Sequence, residues 1–307
     1  MGAQRGKAAC CQGGLHADAC SGAGKPPNII HPMRFLNVSA YKFVELGGLP
    51  ALREDLRARC AAAALKGTVL IAPEGINLFL AGREGPLREV LAWFEADPRF
   101  TALPVKESWS DHQPFNRMLV KIKREIITMR QPQIRPAGAR APVVAPAVLK
   151  RWLDAGCDDA GREVVLLDTR NAFEVDIGSF EGAIDPQIRS FGEFPARVGE
   201  LKAGLADKTV VTFCTGGIRC EKAVIYMQAE GFPHVVQLDG GILRYFEEVG
   251  GAHYRGDCFV FDRRVALTPE LDEAGYAECF HCRAVVSPQE QREPVYVVGK
   301  SCPHCAT

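Results

Sequence analysis

KTVVTFCTGGIRCEKAVIYMQAE, residues 208–230, decides the fold. Residues 208–213 are a short β-branched and aromatic run of the kind that fills a fully buried strand. Residues 220–230 carry apolar positions at helical spacing. Between them, Cys214-Thr215-Gly216-Gly217-Ile218-Arg219 reads as a loop, with two glycines free to curl the backbone. A strand that ends in a Gly-containing loop and feeds a helix is the repeating unit of a parallel sheet.

Working outward, the same unit recurs on both sides. Upstream, residues 147–155 read as a helix and EVVLLD (163–168) as a second buried strand. Downstream, HVVQL (234–238) reads as a third strand, Asp239-Gly240-Gly241 as a turn and 242–248 as a helix. Strands alternating with helices predict a parallel sheet covered on both faces.

The first third of the patterned chain obeys a different rhythm. Residues 34–44, 67–72, 76–81, 103–109 and 118–128 read as strands, and 49–65 and 84–97 as helices. Pro73-Glu74-Gly75 marks a tight turn. The order β-α-β-β-α-β predicts a ferredoxin-like, acylphosphatase-like sandwich. Four prolines in 131–146 mark a linker. The expected division is a tail at 1–32, a basic ferredoxin-like domain at 33–130, a linker at 131–146, a parallel-sheet domain at 147–252 and a Cys-rich extension at 253–307. The tail, with Cys10, Cys11, His16 and Cys20, lacks a period and reads as disordered or as a mis-assigned start ahead of Met33.

Composition narrows the class. Apolar residues make up 47% of the 307 and charged residues 24%, which suffices for ordinary buried cores. Apolar runs stay far short of a bilayer span, so a membrane partner is not expected. Formal net charge is zero, but residues 33–142 hold 17 Lys and Arg against 11 Asp and Glu, while 143–255 hold 12 against 17. An anionic partner would meet the basic segment first. Within it, Arg117, Lys121, Lys123 and Arg124 are the candidate nucleic-acid contacts, alongside Lys106, Arg130, Arg135 and Arg140. The alternative is a solvated outer sheet face. Trp109 and Phe115 could stack bases or pack in a core. Residues 1–32 have no apolar signal segment, and the cysteines sit in a loop and two CxxC pairs, so a reducing, cytoplasmic compartment is expected.

The chemistry centres on Cys214. A cysteine at the carboxyl end of a strand sits where open α/β sheets build their sites. Curling Thr215, Gly216, Gly217 and Ile218 would aim backbone N–H groups at one point. The following helix N-terminus and Arg219 add positive potential. All favour the nucleophilic thiolate. Cys220 is either an exchange partner for Cys214 or a small apolar residue in the helix's first turn. Asp168 could hold the loop and Arg170 could contact phosphate; the alternative is a structural ion pair between them. Cys214 and Arg219 enclose four residues, and a phosphatase cradle usually encloses five.

These residues carry a resemblance. VVTFCTGGIRCEKA (210–223) is similar to the active site of rhodanese domains, and LLDTRNAFEVDIGSFEGAI (166–184) resembles their Asp-x-Arg, acidic residue, Gly-His-Ile-x-Gly-Ala segment. Here that segment reads Gly178-Ser179-Phe180-Glu181-Gly182-Ala183, without the histidine. The departure, together with APEGINLFLAG (72–82), PFNRMLVKIKREIITM (114–129) and GDCFVFDRRV (256–265), resembles the rhodanese-domain tRNA uridine hydroxylases. The resemblance implies an oxidoreductase that uses molecular oxygen to convert the wobble uridine of tRNA to 5-hydroxyuridine. It implies Cys214 as active-site residue, the tRNA anticodon stem-loop as partner and an electron donor of unknown identity. No flavin or haem motif is visible. On this reading the thiolate or its persulfide adds to uracil C6 and Arg219 steadies the resulting enolate. A sulfurtransferase carrying a persulfide and a non-catalytic tRNA-binding module are the rival functions.

At the other end, Cys279, Cys282, Cys302 and Cys305 give C-x2-C-x19-C-x2-C, a spacing suited to a closed, structural zinc site. The alternative is four reduced thiols. His281 and His304 are expected as bystanders, and Cys258 as packing. The enzymatic expectation requires an ionised, reachable Cys214 sulfur faced by amide hydrogens.

Overall fold

The computed structural model describes residues 34–138 and 141–306. The tail cysteines with His16, Met33 and Arg140 lie outside the described residues. Two α/β units and a cysteine-rich extension follow in chain order.

The first unit contains β1 (Phe35–Phe43), α1 (Leu49–Ala62), β2 (Lys66–Ala72), β3 (Gly75–Gly82), α2 (Glu84–Ala96), β4 (Val105–Ser110) and β5 (Met118–Ile122). The strands form one sheet in the order β4-β1-β3-β2-β5. The ferredoxin-like expectation holds, and β5 extends the sheet by pairing parallel to β2. Alternation along each strand divides the work of the two faces. Leu36, Val38, Val69, Ile71, Ile76, Leu78 and Leu80 pack with Leu52 and Leu56 of α1 and with Leu87, Val90 and Phe94 of α2. The intervening positions Ser39, Tyr41, Thr68, Leu70, Asn77 and Phe79 line a cavity on the opposite face.

The strand expected over 118–128 stops at Ile122. The backbone donors beyond it find carboxylates instead of a ladder. Ile126 N–H donates to Glu74, and the N–H groups of Met129 and Arg130 donate to Glu125. Every buried donor must find a partner, and these side chains supply one cheaply at a sheet edge.

The second unit begins inside the Pro-rich stretch read as a linker. Val143–Val144 form β6, which pairs parallel to a later strand. Then come α3 (Pro146–Ala155), β7 (Val164–Asp168), α4 (Ala172–Val175), β8 (Gly178–Phe180), α5 (Phe194–Leu205), β9 (Thr209–Phe213), α6 (Ile218–Ala229), β10 (Val235–Leu238) and α7 (Gly241–Val249). The sheet order is β6-β10-β9-β7, with all pairings parallel. Both faces are covered. Val210 and Leu167 pack toward α5 and α6, while Val211, Phe213 and Leu166 pack toward α3 and α7. The sequence reading assigned no element between 169 and 207, where α4, β8 and α5 lie.

The rest is short ladders: β11 (Tyr254–Gly256), β12 (Cys258–Phe259), β13 (Ala266–Leu267), β14 (Ala277–Glu278) and β15 (Val285–Val286). β11 pairs with β8, which seals the parallel-sheet unit. Among the described residues, no helix is long and apolar enough to cross a membrane.

Candidate functional site

The buried strand β9 delivers Cys214 to the sheet's carboxyl edge, and α6 starts four residues later. The expected loop is shorter than predicted, because Ile218 and Arg219 already belong to the helix. Cys214 has no exposure to bulk solvent, yet it borders the cavity beneath the sheet of the first unit. Gly217 N–H donates to its Sγ at 3.1 Å. Burial by itself would push the thiol up. It is outweighed by a hydrogen bond from Cys220, the charge of Arg219 and the N–H groups of Arg219 and Gly217, which together hold the thiol well below its ordinary value. These groups favour the thiolate form, and the sulfur lies against amide hydrogens and is not a side chain sealed in hydrocarbon.

Cys220 lies behind it, fully buried. Burial and its hydrogen bond to Cys214 hold its thiol well above the usual range. It sits as a neutral donor, with Thr169 Oγ1 3.6 Å away. The loop's own carbonyls are tied down by the next helix. The N–H groups of Ile242 and Leu243 in α7 donate to Cys214 and Thr215 carbonyls at 2.9 and 3.1 Å. Gly241 makes this approach possible: a Cβ there would lie 2.3 Å from the Cys214 carbonyl oxygen. Thr215 Oγ1 donates to the Phe259 carbonyl at 3.3 Å.

Arg219 does not extend a free fork into the cavity. Both of its terminal nitrogens bind Glu174, one at 3.0 Å and the other closer, and both residues are buried. Its charge still reaches Cys214, but enolate stabilisation by the guanidinium is replaced by a held ion pair. Glu174 is the acidic residue that follows Asp168-Thr169-Arg170, so its signal was present in the sequence though its partner was not.

Asp168 and Arg170 also take their structural alternative. Both are completely buried, and the Arg170 guanidinium binds Asp168 through two nitrogens and donates to the Gly178 carbonyl at 2.6 Å. Asp168 accepts from Ser179 Oγ and the Arg170 N–H, not from the cysteine loop. No face of Arg170 is left for a phosphate.

The sheet of the first unit forms the roof over Cys214. A Cβ on Gly217 would lie 2.8 Å from Tyr41 Oη, and Gly217 has φ of 102°, so this position needs glycine twice over. The cavity has a volume of about 1320 Å³. It is lined by Cys214, Thr215, Gly216, Ile218 and Arg219 below and by the sheet above. Of the expected nucleic-acid contacts among the described residues, Lys106 and Lys123 line it. Lys121 shares the face of Leu70, its register partner, and Arg117 and Arg124 are exposed on the flank. Phe115 lines the cavity, whereas Trp109 is a partly exposed surface ring beside Arg34. Phe261, half exposed at the rim with Arg219 over its ring at 5.9 Å, is an aromatic surface that the sequence reading passed over.

Lys222 joins the two units. Buried in α6, it binds Glu74 at 2.8 Å, Glu125 at 2.7 Å and the Ile127 carbonyl at 3.0 Å. The turn residue Glu74 and Glu125, just beyond β5, thus serve the junction, a role visible only in three dimensions.

In the extension, the sulfurs of Cys279, Cys282, Cys302 and Cys305 lie within 4.8 Å of one another. Neighbouring sulfurs are 3.6 to 3.9 Å apart. Four sulfurs at about 2.3 Å from one tetrahedral ion stand about 3.8 Å apart, so the cluster fits a metal such as zinc. N–H groups of Cys282 and His281 face Cys279 and draw its thiol down to about 6. His281 and His304 are exposed, and His304 instead meets Glu290 at 2.9 Å. Cys258 is buried packing, its thiol pushed up to about 12 by burial.

Comparison with known proteins agrees with this architecture. Residues 35–126 match the UPF0176 acylphosphatase like domain, and residues 146–248 match the rhodanese-like domain. Fold and site thus define a rhodanese-domain protein with an acylphosphatase-like unit in front. A protein of Cupriavidus metallidurans named tRNA uridine(34) hydroxylase is 62% identical over 89% of this chain and 97% of its own length. One of the same name from Cupriavidus taiwanensis is equally similar, and one from Ralstonia nicotianae is 60% identical over 89% of this chain and 97% of its own. The chain belongs to the tRNA uridine(34) hydroxylase family.

Proposed function

We propose that the protein hydroxylates the wobble uridine of tRNA at C5, with Cys214 as the catalytic residue. One observation carries the reading: a thiolate held by the Gly217 and Arg219 amides opens into a cavity roofed by a second domain. The space exceeds the range of roughly 300–1,000 Å³ that suits a small ligand. It would admit a nucleotide splayed out of a loop.

The chemistry follows from the sulfur. Uracil C6 is an electrophilic alkene carbon, and thiolate addition there makes C5 electron-rich, with charge delocalised onto O4. C5 then reacts with molecular oxygen, and loss of the C5 proton with expulsion of the thiolate restores the ring. The net change inserts one oxygen atom at C5; the second leaves as water and requires two electrons and two protons. A two-electron reductant is therefore a necessary partner. Cys220 keeps a proton near the sulfur and steadies the thiolate between additions. Amide donors at the loop act on developing charge without having to reorganise.

Lys121, Lys123, Arg117 and Arg124 flank the cavity and would steer the anticodon stem-loop toward it. Phe261 would offer a face for a splayed base. The four-cysteine cluster would hold one structural zinc and take no part in the reaction. The working boundaries are 33–130 and 253–307, with the parallel-sheet unit between them starting at β6 and not at 147, in a cytoplasmic enzyme.

The test is nucleoside mass spectrometry of tRNA from cells lacking the gene, complemented with wild type or Cys214→Ala. Wild type restores 5-hydroxyuridine derivatives and the variant does not. Restoration by Cys214→Ala refutes the assignment of the cysteine. Loss of a thiolated nucleoside instead would make the protein a sulfurtransferase.

A further inference from the structure

Lys106 stands out among the basic residues of the first unit because it is not on the surface that would meet an anion. It lies in β4, opposite Ser39 of β1, and so shares the cavity-facing side of the sheet. Its ammonium crosses the junction to the parallel-sheet unit. There it donates to the Gly216 carbonyl at 3.1 Å and, more closely, to the Gly240 carbonyl. Gly216 belongs to the cysteine loop, and Gly240 precedes α7, the helix that pins the loop's carbonyls. One side chain from the first unit thus ties together both turns that shape the Cys214 site.

We infer that Lys106 is a positioning residue for Cys214, supplied across the domain junction, which locks the loop and adds a second positive charge to that of Arg219 near the sulfur. Arg219, the other nearby cation, is bound by Glu174 through both terminal nitrogens. Lys106 has only carbonyl oxygens within hydrogen-bond distance among the described residues. The groups that face it electrostatically are Cys214, Glu247 and Arg244 of α7, and Asp239 at the end of β10. Arg244 is itself bound to Asp239 and Glu248. Burial pushes the Lys106 ammonium down, and the strongest opposing influence is the charge of Cys214. The sulfur and the ammonium therefore stabilise each other's charged forms.

This gives the first unit a second duty besides binding. Without the sheet above it, the loop would lose both the charge and the hydrogen bonds that hold Gly216. Reactivity is coupled to domain docking, so the thiolate is fully developed only under the roof that receives the substrate.

The inference rests on the proposed role of Cys214 only for its biological meaning, because its test reads the sulfur directly. Full-length wild type, K106M, K106Q and K106R are alkylated with iodoacetamide between pH 5 and 10. Modification of the Cys214 peptide is followed by mass spectrometry. The midpoint of the rate profile moves up in K106M, on the order of one pH unit, the size expected when one nearby opposite charge is removed. K106R keeps the charge and stays near wild type. K106Q keeps a donor for the carbonyls but loses the charge, so it separates the two duties and serves where K106M melts early. A K106Q midpoint that follows K106M supports the proposal, and one that overlays wild type overturns it. Hydroxylation is assayed in parallel. Loss of hydroxylation in Cys214→Ala, together with alkylation midpoints in K106M and K106Q unchanged from wild type, would sink this inference and leave the proposed function standing.

Discussion

Replacing Lys222 with Met removes the cation at the junction of the two units. Its side chain is 1% exposed and its ammonium sits between two carboxylates, each with 19% of its side chain exposed. Removing one partner of a buried ion pair costs about 3–5 kcal/mol, because the remaining charge stays buried. Glu74 and Glu125 keep some water and also accept N–H groups from Ile126, Met129 and Arg130. The lower end, about 3 kcal/mol, therefore applies. At about 2–4 °C per kcal/mol for a chain near this size, the melting temperature should fall by roughly 6–12 °C. The pH dependence gives a second handle. Burial pushes the Glu125 carboxyl up, but Lys222 and the Met129 and Arg130 amides outweigh it and hold the carboxyl below its ordinary value. A depressed folded value means that this stabilisation is present above the ordinary glutamate range, about pH 4.3. It is lost as pH falls further, through the folded value. The gap between wild type and K222M should be widest near pH 7 and close as the solution is acidified below pH 5. Calorimetric melts across this range measure it. A neutral-pH difference under about 2 °C, or one that stays constant with pH, refutes the reasoning about the clamp.

The other expectations are more local. Gly241→Ala places a Cβ 2.3 Å from the Cys214 carbonyl and should abolish cysteine reactivity and lower stability, whereas Gly85→Ala, with open space around it, should be neutral in the same alkylation and melting assays. Asp168→Asn breaks a fully buried pair and should destabilise by about 3 kcal/mol or more, while the salt dependence of tRNA binding stays unchanged; a reduced slope would return Arg170 to phosphate binding. Replacing Lys121 and Lys123 together with Ala should shallow the slope of log affinity against log salt by nearly 2 if both meet phosphates, as read by filter binding. Elemental analysis of the purified protein should find about one zinc per chain, displaced by Cys302→Ser together with an earlier melt of the extension; metal-free wild type with an unchanged melt would contradict this.

What local pattern can show, this chain shows openly. The buried runs ending at Asp168 and Cys214 marked a parallel sheet, because strands covered on both faces read as continuous apolar segments. The run 34–44 read as a strand, but that Leu36, Val38 and Ala40 form its packed face came from the structure. Cys214 and its glycines could be read as a site, since curled backbone and reactive sulfur are properties of adjacent residues. The CxxC pairs could be read for the same reason.

Charges could not be assigned this way. Arg170 and Arg219 looked available to an anion, and both are consumed by carboxylates, Asp168 and Glu174, that share the same buried volume. Lys106 looked like one of several surface cations, and it lies over the cysteine loop 110 residues away in sequence. Lys222, Glu74 and Glu125 come from three separate segments and meet only at the junction. Periodicity along a chain tells which way a side chain points relative to its own neighbours. Which distant charge it finds there depends on how two sheets pack, and electrostatic energy falls with distance through space, not with separation in sequence.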